Sequence, residues 1–192
     1  MALLLSVSFW GCTQEETLGE INLSSQSLAI LPDNASNLLY HNGDGDTLEF
    51  SLLLNDAGFE TQLVESDAGF IFGGTKTYAD LEYRDIRYES NRFTISYYLY
   101  VDGSNAGSQD LLSTSLIANN GSVAASTVLV DREANNGSED LLLAKITSID
   151  VQGQTLNDVF EVEEFGRTYY YAENQGLEAF TFDGAEWWFA AD

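Results

Sequence analysis

The residue types that carry chemistry are scarce in this chain, except for oxygen. His41 is the only histidine in 192 residues and Cys12 the only cysteine. A lone histidine beside a turn, with no G-x-S-x-G elbow and no second thiol, gives no recognisable serine or cysteine triad. The same count fails zinc, whose customary sites draw several nitrogen and sulfur ligands from His and Cys. Against this, 31 Asp and Glu face 7 Lys and Arg, a formal charge of -24. Asn42, Asp44 and Asp46 space their oxygens like the opening of a calcium loop. However, Thr47 stands where an EF-hand needs Gly, and Leu53 stands where it needs a bidentate Glu. The three remain a candidate Ca2+ site of another kind, set against a plain hairpin turn that uses Gly and Asp for backbone reasons. Asp131, Glu133, Asn135 and Glu139 pose the same choice. No other cofactor is expected. Two carboxylates about 5 to 10 Å apart could hydrolyse a glycoside, but so acidic a chain makes such pairs by chance. Glu161, Glu163 and Glu164 read as a solvated strand face, and no catalytic residue is assigned.

Aromatic residues offer a better binding clue. Tyr169-Tyr170-Tyr171 and Trp187-Trp188 fall in strand-like runs. Successive side chains on a strand point to opposite faces, so at least one ring of each set should turn away from the core. Tyr170 and Trp188 are the candidates to stack on a sugar ring or meet a partner protein; the alternative is that they cover a barrel rim. Nucleic acid is excluded as a partner, because phosphate would be repelled along the whole chain.

Cys12 suggests chemistry by its position. Ala2 to Trp10 is an apolar run of signal-peptide length, too short for a membrane span of about 20 residues. Gly11-Cys12 follows at once. Phe9-Trp10-Gly11-Cys12 resembles the lipobox of bacterial lipoproteins, where a signal peptidase cuts before a lipid-carrying cysteine. Phe9 and Trp10 replace the usual Leu and small residue, and a basic n-region is missing, which a start upstream of Met1 would supply. Thr13-Gln14-Glu15-Glu16 looks like the acidic export signal of surface lipoproteins in Bacteroidetes. The resemblance implies a signal peptide over 1–11, lipid on Cys12, and an outer-membrane location, periplasmic or surface-exposed. Each buried lipid methylene contributes roughly 0.8 kcal/mol to such anchoring.

The elements that must position these residues are strands. Residues 12–37 read as a lipidated Cys and a polar tether, with a first strand near 28–31 closed by Pro32, the only proline. From 38 onward period two dominates: Phe93, Ile95, Tyr97, Leu99 and Val101 alternate with Thr94, Ser96, Tyr98 and Tyr100. Turn signals such as Asn42-Gly43-Asp44-Gly45, Asn119-Asn120-Gly121, Gln152-Gly153-Gln154 and Asn174-Gln175-Gly176 recur between the runs. They predict strands near 38–41, 47–54, 59–65, 76–89, 92–101, 110–118, 123–131, 141–150, 155–164, 168–173, 177–182 and 185–190. The expectation is one all-β domain over 38–192. It would be an antiparallel barrel or curved half-barrel, lipocalin-like in outline, with a β-sandwich as the alternative.

Gly153-Gln154-Thr155 through Val162, Tyr170-Tyr171-Ala172 through Phe180, and Asp183-Gly184-Ala185-Glu186-Trp187 are similar to the closing hairpins of uncharacterised Bacteroidetes lipoproteins, written YYAxxxGLxxF and DGxxW. Leu39 to Leu48 resembles their first hairpin. That group implies fold and compartment, and no activity. The functional expectation is a non-enzymatic, lipid-anchored accessory or binding protein with a glycan or protein partner. The alternatives are a carrier of an apolar ligand in a barrel cavity and, third, a glycan hydrolase. Twenty-four large aromatics favour a filled interior over a hollow one.

Overall fold

The computed structural model describes residues 14–33, 37–67, 74–105, 109–121, 123–131, 140–141, 144–164, 166–181 and 186–191. Cys12 lies outside them, as do Glu133, Asn135 and Glu139 of the second acidic loop.

The chain is all-β. Its elements are β1 (Gln14–Ile21), α1 (Ser25–Leu28), β2 (Asn37–Asn42), β3 (Thr47–Asp67), β4 (Thr75–Glu89), β5 (Phe93–Val101), β6 (Gln109–Ala118), β7 (Val123–Asp131), β8 (Asp140–Leu141), β9 (Lys145–Val151), β10 (Gln154–Glu164), β11 (Arg167–Ala172), β12 (Gly176–Thr181) and β13 (Trp187–Ala190). A 3-10 turn at Gly103–Asn105 joins β5 to β6. One sheet runs in the order β8-β7-β6-β5-β4-β3-β2-β13-β12-β11-β10-β9. It is a meander from β2 to β8 and another from β9 to β13, joined where β13 pairs with β2.

Among the described residues the hydrogen-bonded path does not close, since β8 and β9 are its ends. Among those residues the sheet is thus open, which fits the curved half-barrel or the sandwich and not the closed barrel. β7 and β10 still approach within 8 Å between Cα atoms, closer than the roughly 10 Å of two sheets packed face to face, so the two limbs come together near their edges.

Period-two burial explains the inner face. Phe93, Ile95, Tyr97, Leu99 and Val101 are all buried, and their alternates are partly exposed. They pack with Tyr40, Phe50, Tyr88, Leu112, Leu116, Tyr171, Phe180 and Trp188 in one cluster that fills the curve of the sheet. Buried hydroxyls need partners. Tyr40 Oη donates to the Leu177 carbonyl at 2.8 Å, and the Leu177 amide donates to Tyr97 Oη at 3.1 Å.

The N-terminal stretch corrects the polar-tether expectation. β1 pairs in parallel with β4 from Gln14↔Thr75 to Ile21↔Leu81. Leu23, Ile30 and Leu31 are buried in the main core, so the domain begins at least as early as residue 14. The strand expected near 28–31 is instead the end of α1 and the turns after it. Ser24 caps α1, its Oγ accepting from the Ser27 amide at 3.1 Å. Asp110, fully buried on β6, locks this turn: its Oδ2 accepts from the Ser24 amide at 2.9 Å and from Ser27 Oγ at 2.7 Å. Leu18, Ile21 and Leu23 fall between polar residues without a strand or helix period, whereas the short run Leu28-Ala29-Ile30-Leu31 reads as a strand.

β3 also differs from expectation, because the strands near 47–54 and 59–65 are one strand of 21 residues. Asn55 to Gly58 is no turn. Gly58 leaves room for the Tyr83 ring; a Cβ there would sit 3.1 Å from Tyr83 Oη.

The buried tyrosines give the fold an alkaline limit. Burial, the largest cause in each case, raises the hydroxyls of Tyr40, Tyr88 and Tyr97 above the usual 10. A phenol with a raised folded value favours the neutral, protonated form in the native state. Its stabilisation is complete below about pH 10 and is lost as pH rises through that value toward the folded one. Melting temperature should therefore hold level to about pH 9.5 and fall steeply above 10, with phenolate absorbance at 295 nm rising together with unfolding. Independent titration of all ten tyrosines near 10 in a folded protein would contradict this packing.

Candidate functional site

The site grows from a bend in β10. Leu156 and Val159 join the same second apolar cluster, although residues three apart on a regular strand face opposite ways. Asp158, at φ 54°, breaks the alternation between them. The β9–β10 hairpin thereby lays Val151 and Leu156 over the outer face of β11 to β13, against Tyr170, Ala179 and Phe189. Its tip is a two-residue turn at Gln152 (φ 53°) and Gly153 (φ 82°), with Val151 paired to Gln154. Left-handed backbone at both central residues gives the hairpin turn whose twist suits its strands. Asp150 Oδ1 accepts from the Gly153 amide at 3.1 Å and steadies it.

The β2–β3 turn comes up to this tip from the other side. Asn42 ties it together: its Oδ1 accepts from the Asp44 amide at 3.1 Å and the Asp46 amide at 2.8 Å. Its Nδ2 donates to Glu186 Oε1 at 2.8 Å and Asp46 Oδ2 at 3.3 Å. Glu186 is also held from β4–β5, where Arg92 donates to Oε2 at 3.1 Å.

Between the two turns lies an open groove of about 390 Å³, walled by Asn42, Gly43, Asp44, Gln152, Gln154 and Glu186 and floored by Trp187 and Phe189. Such a volume is in the range of small-ligand sites. The floor belongs to an aromatic row on the outer face. Phe189 pairs across strands with His41 and Ala179, and Tyr170 with Ala179. Trp187 lies 6.2 Å from Phe189 and 5.9 Å from Tyr170 between ring centroids, at interplanar angles of 23° and 33°.

These positions redistribute the residues expected from the sequence. Tyr170 faces outward, opposite to Tyr169 and Tyr171, but is only 5% exposed beneath this layer. Its hydroxyl is pushed up to about 12, first by burial and then by its hydrogen bond to Glu161 and the charges of Glu161 and Glu163. Trp188 is corrected outright: it is 1% exposed in the inner core, with the Arg92 guanidinium 5.1 Å from its ring centroid. Trp187 is the member of the pair that meets solvent. The reason is strand parity, since Trp188 pairs with inward Phe180 and buried Asn42.

Asn42, Asp44 and Asp46 adopt the hairpin-turn geometry. Asn42 Oδ1 is committed to two backbone amides, which removes the first oxygen from the calcium alternative. Among the described residues no three of His, Cys, Asp and Glu gather as a metal site. His41 packs its ring 6.0 Å from that of Phe189.

A second aromatic group, Tyr83, Tyr98 and Tyr100, lies on the outer side of β4 and β5, with centroids 6.2 and 5.1 Å apart. Tyr83 Oη donates to Asp56 Oδ2 at 3.1 Å.

The sequence reading missed Trp187, Phe189, Gln152 and Gln154 as site residues. Gln152-Gly153-Gln154 is legible as a turn, but nothing local marks the bend at Asp158 that brings it over β13. Comparison with known proteins finds no matching family model, no matching curated protein and no matching solved structure.

Proposed function

We propose that the chain is an exported, lipid-anchored binding protein of the bacterial outer membrane, held by lipid on Cys12 and taking its ligand without chemistry in the groove over Trp187 and Phe189. The carrying observation is the groove itself: an aromatic floor between two tight turns, each fixed by its own side-chain hydrogen bonds. Pre-set walls lower the ordering cost of binding. The apolar run Ala2 to Trp10 before Gly11-Cys12, and the similarity of the closing hairpins to Bacteroidetes lipoproteins, support the compartment. The carrier reading has less to rest on, because Tyr40, Tyr88, Tyr97, Tyr171 and Trp188 occupy the inside of the curved sheet.

Expressed in a bacterium that makes lipoproteins, the wild type should enter the detergent phase on Triton X-114 partitioning and Cys12→Ala the aqueous phase. Equal aqueous partitioning of both would defeat the anchor.

A further inference from the structure

We propose that the Trp187 groove recognises a neutral glycan, a short stretch of uncharged pyranose units. This rests on the binding reading above, at the same site. Three observations carry it.

The first is the arrangement of rings. Tyr170, Trp187 and Phe189 stand within 23° to 33° of parallel from one neighbour to the next. Stacking on Phe189 holds Trp187 in one orientation, and its partly exposed ring suits a flat, weakly apolar partner such as the C–H face of a pyranose. A quaternary ammonium is instead held by several rings around it. Phe189 and Tyr170 are 4% and 5% exposed, so among these three rings the ligand would meet the partly exposed Trp187, with the other two holding it in place.

The second is the polar chemistry of the walls. Gln152 and Gln154, both exposed on the turn, supply amides that donate and accept; Asp44 and Glu186 supply carboxylates that accept. Sugar hydroxyls do both. Glu186 is fixed by Asn42 and Arg92 before any ligand arrives, so its position is set in advance.

The third is charge. Carboxylates in the wall of a chain of formal charge -24 repel uronic acids and sulfated sugars. An uncharged polyol meets no such barrier. The groove opens to solvent, so a sugar can reach its walls from outside.

The test uses the full chain in two forms, wild type in detergent and Cys12→Ala in buffer, titrated by calorimetry with xylo-, manno- and cello-oligosaccharides, with oligogalacturonate, with a sulfated oligosaccharide and with tetramethylammonium. At least one neutral series should bind both forms equally, and the charged probes at least tenfold more weakly. Trp187→Ala should lower neutral binding at least tenfold. Gln154→Ala, an exposed turn change that spares the core, should lower it about threefold or more. Tyr100→Ala, outside the groove, should leave it unchanged. The proposal is overturned if no neutral series binds, if a charged probe binds as well, if Trp187→Ala and Gln154→Ala both bind normally, or if Tyr100→Ala loses binding. Equal binding by both forms leaves the anchor to be judged by partitioning alone, so the two ideas fail separately.

Discussion

Asp110→Ala should lower the free energy of unfolding by about 2 to 4 kcal/mol, in the range for leaving two buried hydrogen-bond donors without their acceptor. The carboxylate is wholly buried and accepts from both the Ser24 amide and Ser27 Oγ. Alanine leaves those two buried donors without their acceptor, and the turn they belong to seats Leu23, Ile30 and Leu31 in the core. Asp110→Asn keeps an accepting oxygen at nearly the same shape and should recover much of the loss. Urea unfolding measures the difference. Amide exchange adds a local readout: protection over 23–31 should fall in Asp110→Ala before the rest of the sheet is affected. A neutral Asp110→Ala would mean that residues 14–33 are the loose tether their composition suggests.

The adjacent tryptophans should behave as opposites. Trp188→Ala should cost about 3 to 5 kcal/mol, as large-to-small changes of core aromatics do. It empties a 1% exposed site next to Phe180 and removes the ring beneath the Arg92 guanidinium. Trp187→Ala should cost about 1 kcal/mol, because the ring is partly in solvent and loses mainly its contacts with Tyr170 and Phe189. Equal losses from the two substitutions would show that the two faces of β13 are wrongly distinguished.

The pair also shows how far the sequence could be read. Where one strand face is apolar and the other polar, the pattern is legible: runs near 92–101, 110–118, 155–164 and 168–173 match β5, β6, β10 and β11 to within a residue or so. β13 has an apolar cluster on each side, so Trp187-Trp188-Phe189 alternates without saying which side is inside. Tyr170 meets the same problem on β11. β1 is exposed on nearly every residue and is held mainly by backbone pairing to a strand some 60 residues away, for which side-chain periodicity has no signature. The groove depends on two turns separated by more than 100 residues. Each turn is visible in its own Gly, Asn and Gln residues, whereas their meeting depends on a single left-handed residue, Asp158, and on the curvature of the whole sheet.

The parallel pairing of β1 has a consequence for how the molecule would stand on a membrane. Gln14 is joined to Thr75 at the outer end of the β3–β4 hairpin, and Cys12 is two residues earlier, within about 7 Å along the chain. The groove begins at the turn before Thr47, at the other end of β3, and 21 residues of strand reach at most about 70 Å. Lipid on Cys12 would plant the hairpin like a mast, with the recognition surface at its top. A stand-off greater than roughly 8 Å would already lift the groove clear of headgroup charge in physiological salt. A leash of the same length would let the domain swing, whereas the pairing of Gln14 with Thr75 would make any lipid on Cys12 pull on one end of the β3–β4 hairpin, opposite to the end of β3 at which the groove begins.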